Sequence, residues 1–594
     1  MLGGLVILTV VIIYIKFFYY AYSPIVQTNY GQVIGRELYS RNGRVFNGYL
    51  GIPYAKPPID NLRFEPPQRV TKWEGILKAV DFGSQCSQLE LLFGLHVGDE
   101  NCLFLNIFSP KLPCIDNVTD DACHADNKPL PVMVYIHGGL FQNGGSNLYN
   151  ADYFMDQDVV FVTMNYRLAA FGFLSTGDGL IRGNMALKDQ SMALRFVFEE
   201  IEWFGGDPNR ITLFGESSGG VGAHYQMLSP MSKGIISKAM SLSGTAFHFW
   251  TIKPDPIDQM NQTIRLAKRV GCPTENVSAM VHCLKTVDVA DIVETYREMM
   301  EPLRDQQGIY KPVIEIIDDE YTFISKSPLE IIQSGNYSKV EWLTGVNSHE
   351  GLILATAVMA NGTAADMAQN NWTQFSEKIL LYEKNDNASH KIRDKYFKNV
   401  TDLSSFSSLQ NHVEMYNDRI FYVDLHHGAL LQCKISPVYL YYYSYRGEWS
   451  TSNYFLGMKG NLPRYMEASW VVLTDSNTWY HSLFNNFFGR KLHNYGAAHS
   501  DSLALLFRMP YVAEIFKKST DYEMSLDLVK LLVSFASKQD GEELTFRNVT
   551  WTPANCSDNG TLMYLHIDNE PKMIPEPFTK RVEFWDSLGL KNIQ

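Results

Sequence analysis

The sequence has no excess of positive charge. Its 594 residues include 51 Lys and Arg against 64 Asp and Glu, which gives a net charge of −13. A chain this acidic repels the phosphate backbone of nucleic acids, so we expect no nucleic-acid partner. The sequence also lacks a metal-ligand cluster, a phosphate-binding loop and any cofactor motif, and we therefore expect neither a metal nor a cofactor.

Internal boundaries are missing as well. No Pro/Gly/Ser-rich linker, composition break or repeat divides the chain, although its length alone would allow three or four domains. Hydrophobic residues make up 45 % of the sequence and aromatic residues 13 %, which is enough to fill a large core. We therefore predict one large domain with insertions over residues 24–594.

Residues 1–23 are almost entirely apolar, and no later run is long enough to cross a bilayer. This pattern predicts a secretory signal peptide or an uncleaved signal anchor. Ala21 and Ser23 have the small side chains of a cleavage site, but Pro24 would follow the cut, and no basic residue precedes the run. Both alternatives stay open, so we expect a secreted or a membrane-anchored protein.

Eleven N-x-S/T sequons support the secretory route independently, because such acceptors are glycosylated on exposed surface. They lie at Asn117, Asn261, Asn276, Asn336, Asn361, Asn371, Asn387, Asn399, Asn548, Asn555 and Asn559.

Eight cysteines, an even number without a C-x-x-C pair, favour disulfides over a metal site. Their spacing suggests the pairs Cys86–Cys102, Cys114–Cys123, Cys272–Cys283 and Cys433–Cys556. The alternative is that some of them are free, buried thiols.

Apolar patterning predicts strands that alternate with helices, and hence a mainly parallel sheet flanked by helices. The predicted strands cover residues 28–35, 45–54, 102–108, 131–136, 159–165, 211–214, 238–244, 340–346 and 438–445. The first two should form a β-hairpin at the sheet edge. The predicted helical regions cover residues 184–203, a lid-like insertion at 255–330, residues 355–430 and residues 578–590.

One stretch organises the rest. Residues 215–219 (Gly-Glu-Ser-Ser-Gly) fit G-x-S-x-G directly after an apolar strand, and Gly219-Gly220 begin the helix that is predicted to follow. The glycines allow close backbone passage, and the helix N-terminus offers free N–H groups to a developing oxyanion. The pattern indicates a nucleophilic Ser217. The alternative is a Gly-rich turn with a solvated serine.

Several longer motifs resemble the type-B carboxylesterase/cholinesterase family, and the likeness runs from about residue 28 to about residue 588. They are residues 51–58 (Gly-Ile-Pro-Tyr-Ala-Lys-Pro-Pro), 62–64 (Leu-Arg-Phe), 100–106 (Glu-Asn-Cys-Leu-Phe-Leu-Asn), 204–208 (Phe-Gly-Gly-Asp-Pro) and the Ser217 motif. The resemblance implies an α/β-hydrolase fold and the hydrolysis of small-molecule carboxylic or lipid-like esters.

It also implies a Ser, Glu, His order of catalytic residues. Ser217 matches the nucleophile, Glu350 the acid and His499 the base. The expected oxyanion donors are the backbone N–H groups of Gly139, Leu140 and Ser218. The family pattern has a third glycine where this chain has Leu140. If the site needs a positive φ there, Leu is strained; otherwise its side chain narrows the pocket.

Three of the cysteine pairs match the family's disulfides, and Cys114–Cys123 is extra. The Cys86–Cys102 loop contains no Trp, so the cation–π seat for a choline ester is absent and choline specificity is not expected. Trp250 loosely matches an acyl-pocket Trp of the family. The helix around residues 581–586 resembles a dimerisation helix of some members, and a capping helix on the core is the alternative.

Other polar residues have plainer interpretations. We expect His349 to be a surface or supporting residue and His137 to be a structural histidine bonded to backbone. Glu216 either tunes the site or is a buried, paired carboxylate, and Arg63 should form a structural ion pair with Glu100. Two functional alternatives to ester hydrolysis remain: an acyltransferase with the same residues, and a catalytically inactive adhesion or binding protein.

Overall fold

The computed structural model describes residues 21–590 except 91–93, 114–127, 254, 301–307, 361, 449, 452–493, 511, 513 and 557–560. Outside these described residues lie the expected Cys114–Cys123 pair, residues 1–20, and the sequons at Asn117, Asn361 and Asn559.

The strands of the described chain follow one another as β1 (Tyr22–Gln27), β2 (Gln32–Tyr39), β3 (Val45–Pro53), β4 (Ile76–Lys78), β5 (Gln88–Leu89), β6 (His96–Val97), β7 (Phe104–Ser109), β8 (Leu130–Ile136), β9 (Val160–Met164), β10 (Gly206–Glu216), β11 (Lys238–Leu242), β12 (Glu341–Asn347), β13 (Val438–Tyr443), β14 (Leu544–Phe546), β15 (Val549–Trp551), β16 (Met563–Ile567) and β17 (Lys572–Pro575).

The α-helices are α1 (Ala169–Phe173), α2 (Met185–Glu200), α3 (Ser218–Leu228), α4 (Pro256–Arg269), α5 (Val277–Thr286), α6 (Val289–Met299), α7 (Pro328–Ser334), α8 (Leu352–Ala360), α9 (Gly362–Asn370), α10 (Trp372–Ile379), α11 (Asp386–Phe397), α12 (Leu409–Tyr416), α13 (Val423–Gln432), α14 (Leu503–Leu506), α15 (Tyr522–Ser537) and α16 (Thr579–Asp586). A π-helical turn, Asn417–Tyr422, joins α12 to α13.

A single large sheet carries the fold, in the order β1-β2-β3-β7-β9-β8-β10-β11-β12-β13-β16-β17, with β4 beside β2. From β9 to β16 all neighbours are parallel, and the outer pairs β1–β2, β2–β3, β3–β7, β7–β9 and β16–β17 are antiparallel. This arrangement confirms the predicted α/β-hydrolase fold with its N-terminal hairpin.

The central strands are apolar on both faces because helices cover both sides of a parallel sheet. In β8, every residue from Pro131 to Ile136 is buried, and β9 is buried throughout. Because β8, β10 and β12 run parallel, their carboxyl ends lie at the same edge of the sheet. This is the edge where α/β sheets place their ligand sites.

The helical insertions lie where the patterning predicts them, with α4–α6 in residues 255–330 and α8–α13 in residues 355–430. The last helix, α16, buries Val582 and Trp585, and the Trp585 indole N–H donates to the Tyr396 hydroxyl at 2.8 Å. Its apolar face therefore packs on this chain's own core, as the capping interpretation expects.

Three of the expected disulfides are formed: Cys86–Cys102, Cys272–Cys283 and Cys433–Cys556. Each cysteine in the described part of the chain is paired, so the free-thiol alternative is wrong for these six. The third pair joins residues 123 positions apart and ties the C-terminal strands to the end of α13.

Strand β1 begins at Tyr22, within the segment expected to be a signal or an anchor. Ser23 is buried, the Ala21 carbonyl accepts the Glu37 N–H at 2.8 Å, and the Pro24 carbonyl accepts the Tyr49 hydroxyl at 2.7 Å. Residues 21–24 are thus part of the sheet. Among the described residues, no helix is long and apolar enough to cross a membrane.

All eight described sequon asparagines are exposed. We therefore predict that the protein expressed in a secretory host carries N-linked glycans, since exposure is what the acceptor side chain requires. Enzymatic removal of N-glycans should lower the apparent mass toward the 67.7 kDa of the polypeptide. Peptide mapping should find deamidated asparagine at several of the eight positions. An unchanged mass and no modified peptide would contradict this expectation.

Candidate active site

Ser217 occupies a strained turn between β10 and α3. Its backbone has φ 57° and ψ −128°, outside the regions that residues with a side chain normally adopt. The turn is held at both ends, because the Ser217 N–H donates to the Leu242 carbonyl at 2.8 Å and the Ser217 carbonyl accepts the Val221 N–H at 3.0 Å. The predicted strand–turn–helix context of the G-x-S-x-G motif is confirmed.

The glycines around Ser217 occupy positions where a side chain would not fit. A Cβ on Gly215 would lie 2.3 Å from the carbonyl carbon of Gly219, and a Cβ on Gly219 would lie 2.0 Å from the Ile136 oxygen. A Cβ on Gly244 would lie 2.2 Å from the Ser217 oxygen. Since real Cβ atoms do not approach backbone this closely, only glycine lets β8, β10, α3 and the residues after β11 pass one another at this point.

Glu350 and His499 meet directly, although they are 149 residues apart in sequence. His499 Nδ1 lies 2.6 Å from Glu350 Oε2, and both side chains are buried. The other carboxylate oxygen of Glu350 accepts the Asn347 N–H at 2.6 Å. In these described residues, Ser217 and His499 share no direct hydrogen bond, which is common before a substrate is bound.

Glu216, the residue before Ser217, supplies a second carboxylate to the histidine. Its Oε1 lies 3.4 Å from His499 Nε2 and accepts the Ser500 hydroxyl at 2.6 Å. Burial by itself lowers the pKa of His499, but Glu216 and then Glu350 outweigh burial and raise that pKa to about 9. Burial raises the pKa of Glu216, while His499 and Ser500 oppose the rise. Both interpretations of Glu216 therefore hold: it is buried and paired, and it acts on the site.

The loop after β8 carries the expected oxyanion donors. Gly139 has φ 115°, and Leu140 and Phe141 follow with φ 57° and 62°. Leu140 thus adopts the positive φ that the sequence left undecided, at a cost of roughly 1–2 kcal/mol. The N–H groups of Gly139, Leu140 and Ser218 have no acceptor among the residues that the structure describes. They remain available to an oxyanion.

Polar contacts hold this strained loop. The Phe141 N–H donates to the Ser218 hydroxyl at 3.1 Å, and the Phe141 carbonyl accepts the Ala169 N–H at 2.8 Å. The Gln142 side-chain amide donates to the carbonyls of Leu140 and Tyr310, at 3.0 and 2.7 Å. The Ser218 hydroxyl therefore joins the loop to the turn at Ser217, a contact that the sequence did not suggest.

The plainer predictions agree with the structure. His137 Nδ1 lies 2.9 Å from the Gly138 carbonyl, and burial lowers the pKa of His137 to about 4. His349 contacts the Ser348 hydroxyl at 2.9 Å, and burial lowers its pKa also to about 4. Arg63 and Glu100 form a two-pronged ion pair, with N···O distances of 2.7 and 2.6 Å.

Aromatic side chains lie beside the histidine. The Phe421 ring is 5.3 Å from the His499 ring, and the Trp250 ring is 6.4 Å from Phe421. The Trp250 indole donates to the Ile420 carbonyl at 2.9 Å, which fixes its orientation. Trp250 thus packs on Phe421, and Phe421 packs on His499. This position is compatible with the acyl-pocket wall expected for Trp250.

Sequence reasoning missed several residues that support the site. Asn347 lies three positions before Glu350, and Ser500 directly follows His499, so closeness in sequence to a predicted site residue could have pointed to both. Asn347 donates its N–H to Glu350 and its side-chain amide to the Ala498 carbonyl, at 2.6 Å each. Asn417 and Phe421 belong to a helical stretch far along the chain, and nothing in the sequence marks them.

The sheet order, the turn at Ser217 and the buried Glu350–His499 pair define a protein of the α/β-hydrolase class. The chain belongs to the Carboxylesterase family, whose model matches residues 22–585. It is 35 % identical over 587 residues to the carboxylic ester hydrolase of Bombus ignitus, covering 95 % of this chain and 94 % of that one. It is 32 % identical over 553 residues to the juvenile hormone esterase of Tribolium castaneum, covering 90 % and 86 %.

A solved structure agrees on the fold. The juvenile hormone esterase of Manduca sexta with covalently attached OTFP superposes with a TM-score of 0.75 at 22 % identity, over 95 % of this chain and 99 % of that one. With the family membership, this chain is a serine carboxylic-ester hydrolase; an acyltransferase or an inactive binding protein is not favoured.

The two carboxylates around His499 lead to a pH prediction. A general base must be neutral, and Glu216 raises the pKa of His499, so Glu216→Gln should lower that pKa. The acidic limb of the kcat/KM profile should then move to lower pH. Ser500→Ala, which removes only a hydroxyl from Glu216, should move it far less. An acidic limb that stays in place or moves to higher pH in Glu216→Gln would contradict this account.

The positive φ of Leu140 leads to a second prediction. Leu140→Gly relieves the backbone strain and keeps the N–H group, but it loses the packing of the Leu side chain and frees the unfolded chain, so the free energy of unfolding should stay within roughly 1 kcal/mol of the parent. Turnover of p-nitrophenyl acetate should stay within about threefold of the parent. The matched variant Leu140→Val puts a β-branched residue at the same φ and should lower both values. Thermal unfolding and steady-state kinetics measure the pair; loss of turnover in Leu140→Gly would be the contrary result.

Proposed function

We propose that Ser217 is the nucleophile, His499 the general base and Glu350 the acid that orients the base. The observation that carries this assignment is the 2.6 Å Glu350–His499 contact, buried at the sheet edge where Ser217 stands in its strained turn. A carboxylate on Nδ1 fixes the tautomer that leaves Nε2 free to accept a proton.

In the proposed acylation, Ser217 Oγ attacks the ester carbonyl carbon while His499 Nε2 accepts the hydroxyl proton. The tetrahedral intermediate collapses as the C–O bond to the alcohol breaks, and His499 returns the proton to the leaving alcohol. Water then attacks the acyl-enzyme by the same route and releases the acid. Glu350 and Glu216 both stabilise the imidazolium that forms in each step, because they lie on opposite nitrogens of the ring.

The negative charge of the intermediate requires its own donors. We assign this role to the N–H groups of Gly139, Leu140 and Ser218, which have no acceptor among the described residues. Each such donor contributes roughly 3–4 kcal/mol to the transition state in enzymes of this type. Their placement on a loop tied to Ser218 and on the first turn of α3 supports a preorganised hole.

The proposed substrate is a carboxylic or lipid-like ester with an apolar acyl group. Phe421 beside His499, Trp250 packed on Phe421, and Leu140 support an apolar pocket. Choline esters are not proposed, since the Cys86–Cys102 loop has no Trp. A series of p-nitrophenyl esters with neutral acyl chains from short to long, together with one ester of a charged acyl group, tests the preference. A fastest rate for the charged acyl group would overturn it.

We further propose that the protein acts in the secretory pathway, either secreted or held in the membrane by its N-terminal segment, and that it forms a homodimer through α16. Disulfides and exposed sequons support the first proposal. Carbonate extraction separates a secreted from an anchored form. Sedimentation of the secreted protein tests the dimer, and a monomer at micromolar concentration would reject it.

Ser217→Ala should lower ester turnover by at least roughly a thousandfold, because no other group forms the acyl-enzyme. Expression and the thermal unfolding midpoint should stay unchanged, since the side chain loses only an oxygen. Ser218→Ala is the matched control: it removes the neighbouring hydroxyl but keeps the N–H and should retain measurable turnover. Ester hydrolysis that persists in Ser217→Ala would contradict the assignment of Ser217 as the nucleophile.

A further inference from the structure

The π-helical turn Asn417–Tyr422 supplies Phe421 to the proposed pocket, but the proposed mechanism gives its first and last residues no role. All six of its residues are buried. Single π-helical turns within α-helices are rare and recur at functional sites. Residues five apart point about 140° away from each other in an α-helix, whereas a turn closed by i→i+5 bonds brings their directions closer together. Asn417 and Tyr422 are five apart and contact the same segment.

That segment is the turn that carries Glu350. Asn417 Oδ1 accepts the Gly351 N–H at 2.7 Å, and Asn417 Nδ2 donates to the Ser348 carbonyl at 3.0 Å. Asn417 is 2 % exposed, so water cannot replace either bond. Its two partners flank Glu350, one position after it and two positions before it. The carboxamide therefore fixes the backbone on both sides of the acid.

Tyr422 adds a second attachment. Its hydroxyl lies 2.9 Å from both the Asn347 and the Ser348 carbonyls, and the side chain is fully buried. The turn that carries Glu350 also packs closely against α12, since a Cβ on Gly351 would lie 2.5 Å from the Tyr416 Cβ. Asn417 and Tyr422 together hold residues 347–351 against the π-helical turn.

A displacement of residues 347–351 would move both partners of the Glu350–His499 contact. Glu350 Oε1 accepts the Asn347 N–H, while the Asn347 side chain donates to the Ala498 carbonyl next to His499. The 2.6 Å Nδ1–Oε2 distance therefore depends on where residues 347–351 lie. Misplacing a catalytic group by about 1 Å lowers turnover roughly 100-fold.

We propose that Asn417 is a positioning residue for ester hydrolysis, which holds the Glu350 turn through Ser348 and Gly351 with Tyr422 as its second support. The inference rests on the proposed roles of Glu350 and His499. Asn417 touches neither the substrate nor the reacting atoms; it acts through Glu350.

Asn417→Ala tests the proposal in the full-length, glycosylated protein. Active sites are first counted by complete labelling with an organophosphate, so that kcat refers to folded sites. On p-nitrophenyl acetate, kcat per labelled site should fall roughly 10- to 100-fold while KM stays within about twofold, because substrate binding is untouched. Tyr422→Phe, which keeps the ring packed, should lower kcat roughly three- to tenfold with the same KM.

Asn184→Ala is the matched control. Asn184 is fully buried, and its carboxamide also bonds a backbone N–H and a backbone carbonyl, both of Val313, at 2.8 Å. It further donates to Glu315 Oε1 at 2.9 Å, and its backbone has φ 58°. Asn184→Ala should therefore lower the thermal unfolding midpoint at least as much as Asn417→Ala does, but leave kcat per labelled site within about twofold.

Unchanged kcat per labelled site in both Asn417→Ala and Tyr422→Phe would overturn the inference, and so would an equal fall in Asn184→Ala. If Asn417→Ala does not fold, Tyr422→Phe decides alone. Glu350→Gln separates this result from a failure of the proposed function. When Glu350→Gln loses turnover and the Asn417 and Tyr422 variants do not, only the positioning role is rejected; when Glu350→Gln keeps full turnover, the catalytic assignment itself fails.

Discussion

Four backbone segments, from β8, β10, α3 and the residues after β11, pass one another at Ser217 more closely than a Cβ would permit, and the site depends on this close approach. Gly215, Gly219 and Gly244 are the residues whose missing side chains allow it. Because β8, β10 and α3 are in direct backbone contact, the serine is forced into a conformation that a single turn would not keep by itself. The same contact brings the loop after β8 against the first turn of α3, where the free N–H groups of both converge.

The acid and the base are joined by a second constraint, made of buried polar contacts rather than packing. His499 sits between Glu216 and Glu350, so three ionisable groups share a site from which water is largely excluded. Such a cluster persists only if its geometry is fixed, since a buried charge without a partner is costly. Two side-chain amides help to fix that geometry: Asn347 donates to the Ala498 carbonyl, and Asn417 accepts the Gly351 N–H.

Much of this could be predicted from the sequence because the relevant signals are local. The apolar run of β8, the strand before Ser217 and the hairpin of β2 and β3 each have a pattern that a few neighbouring residues determine. The catalytic order followed from a family resemblance. Asn417 carries no such signal, because its partners lie 66 and 69 residues away and a π-helical turn has no sequence signature. The φ of Leu140 depends on contacts with Ser218 and Gln142, which only the folded chain brings together.

The most direct test of the central claim is the identity of the residue that an organophosphate modifies. Two adjacent serines, Ser217 and Ser218, follow one another after β10. Only Ser217 is proposed as the nucleophile; the hydroxyl of Ser218 accepts the Phe141 N–H. Fragmentation of the labelled peptide by mass spectrometry should find the phosphoryl group on Ser217, with loss of ester turnover in proportion to labelling. Modification of Ser218, or of a serine elsewhere with full loss of activity, would contradict the account.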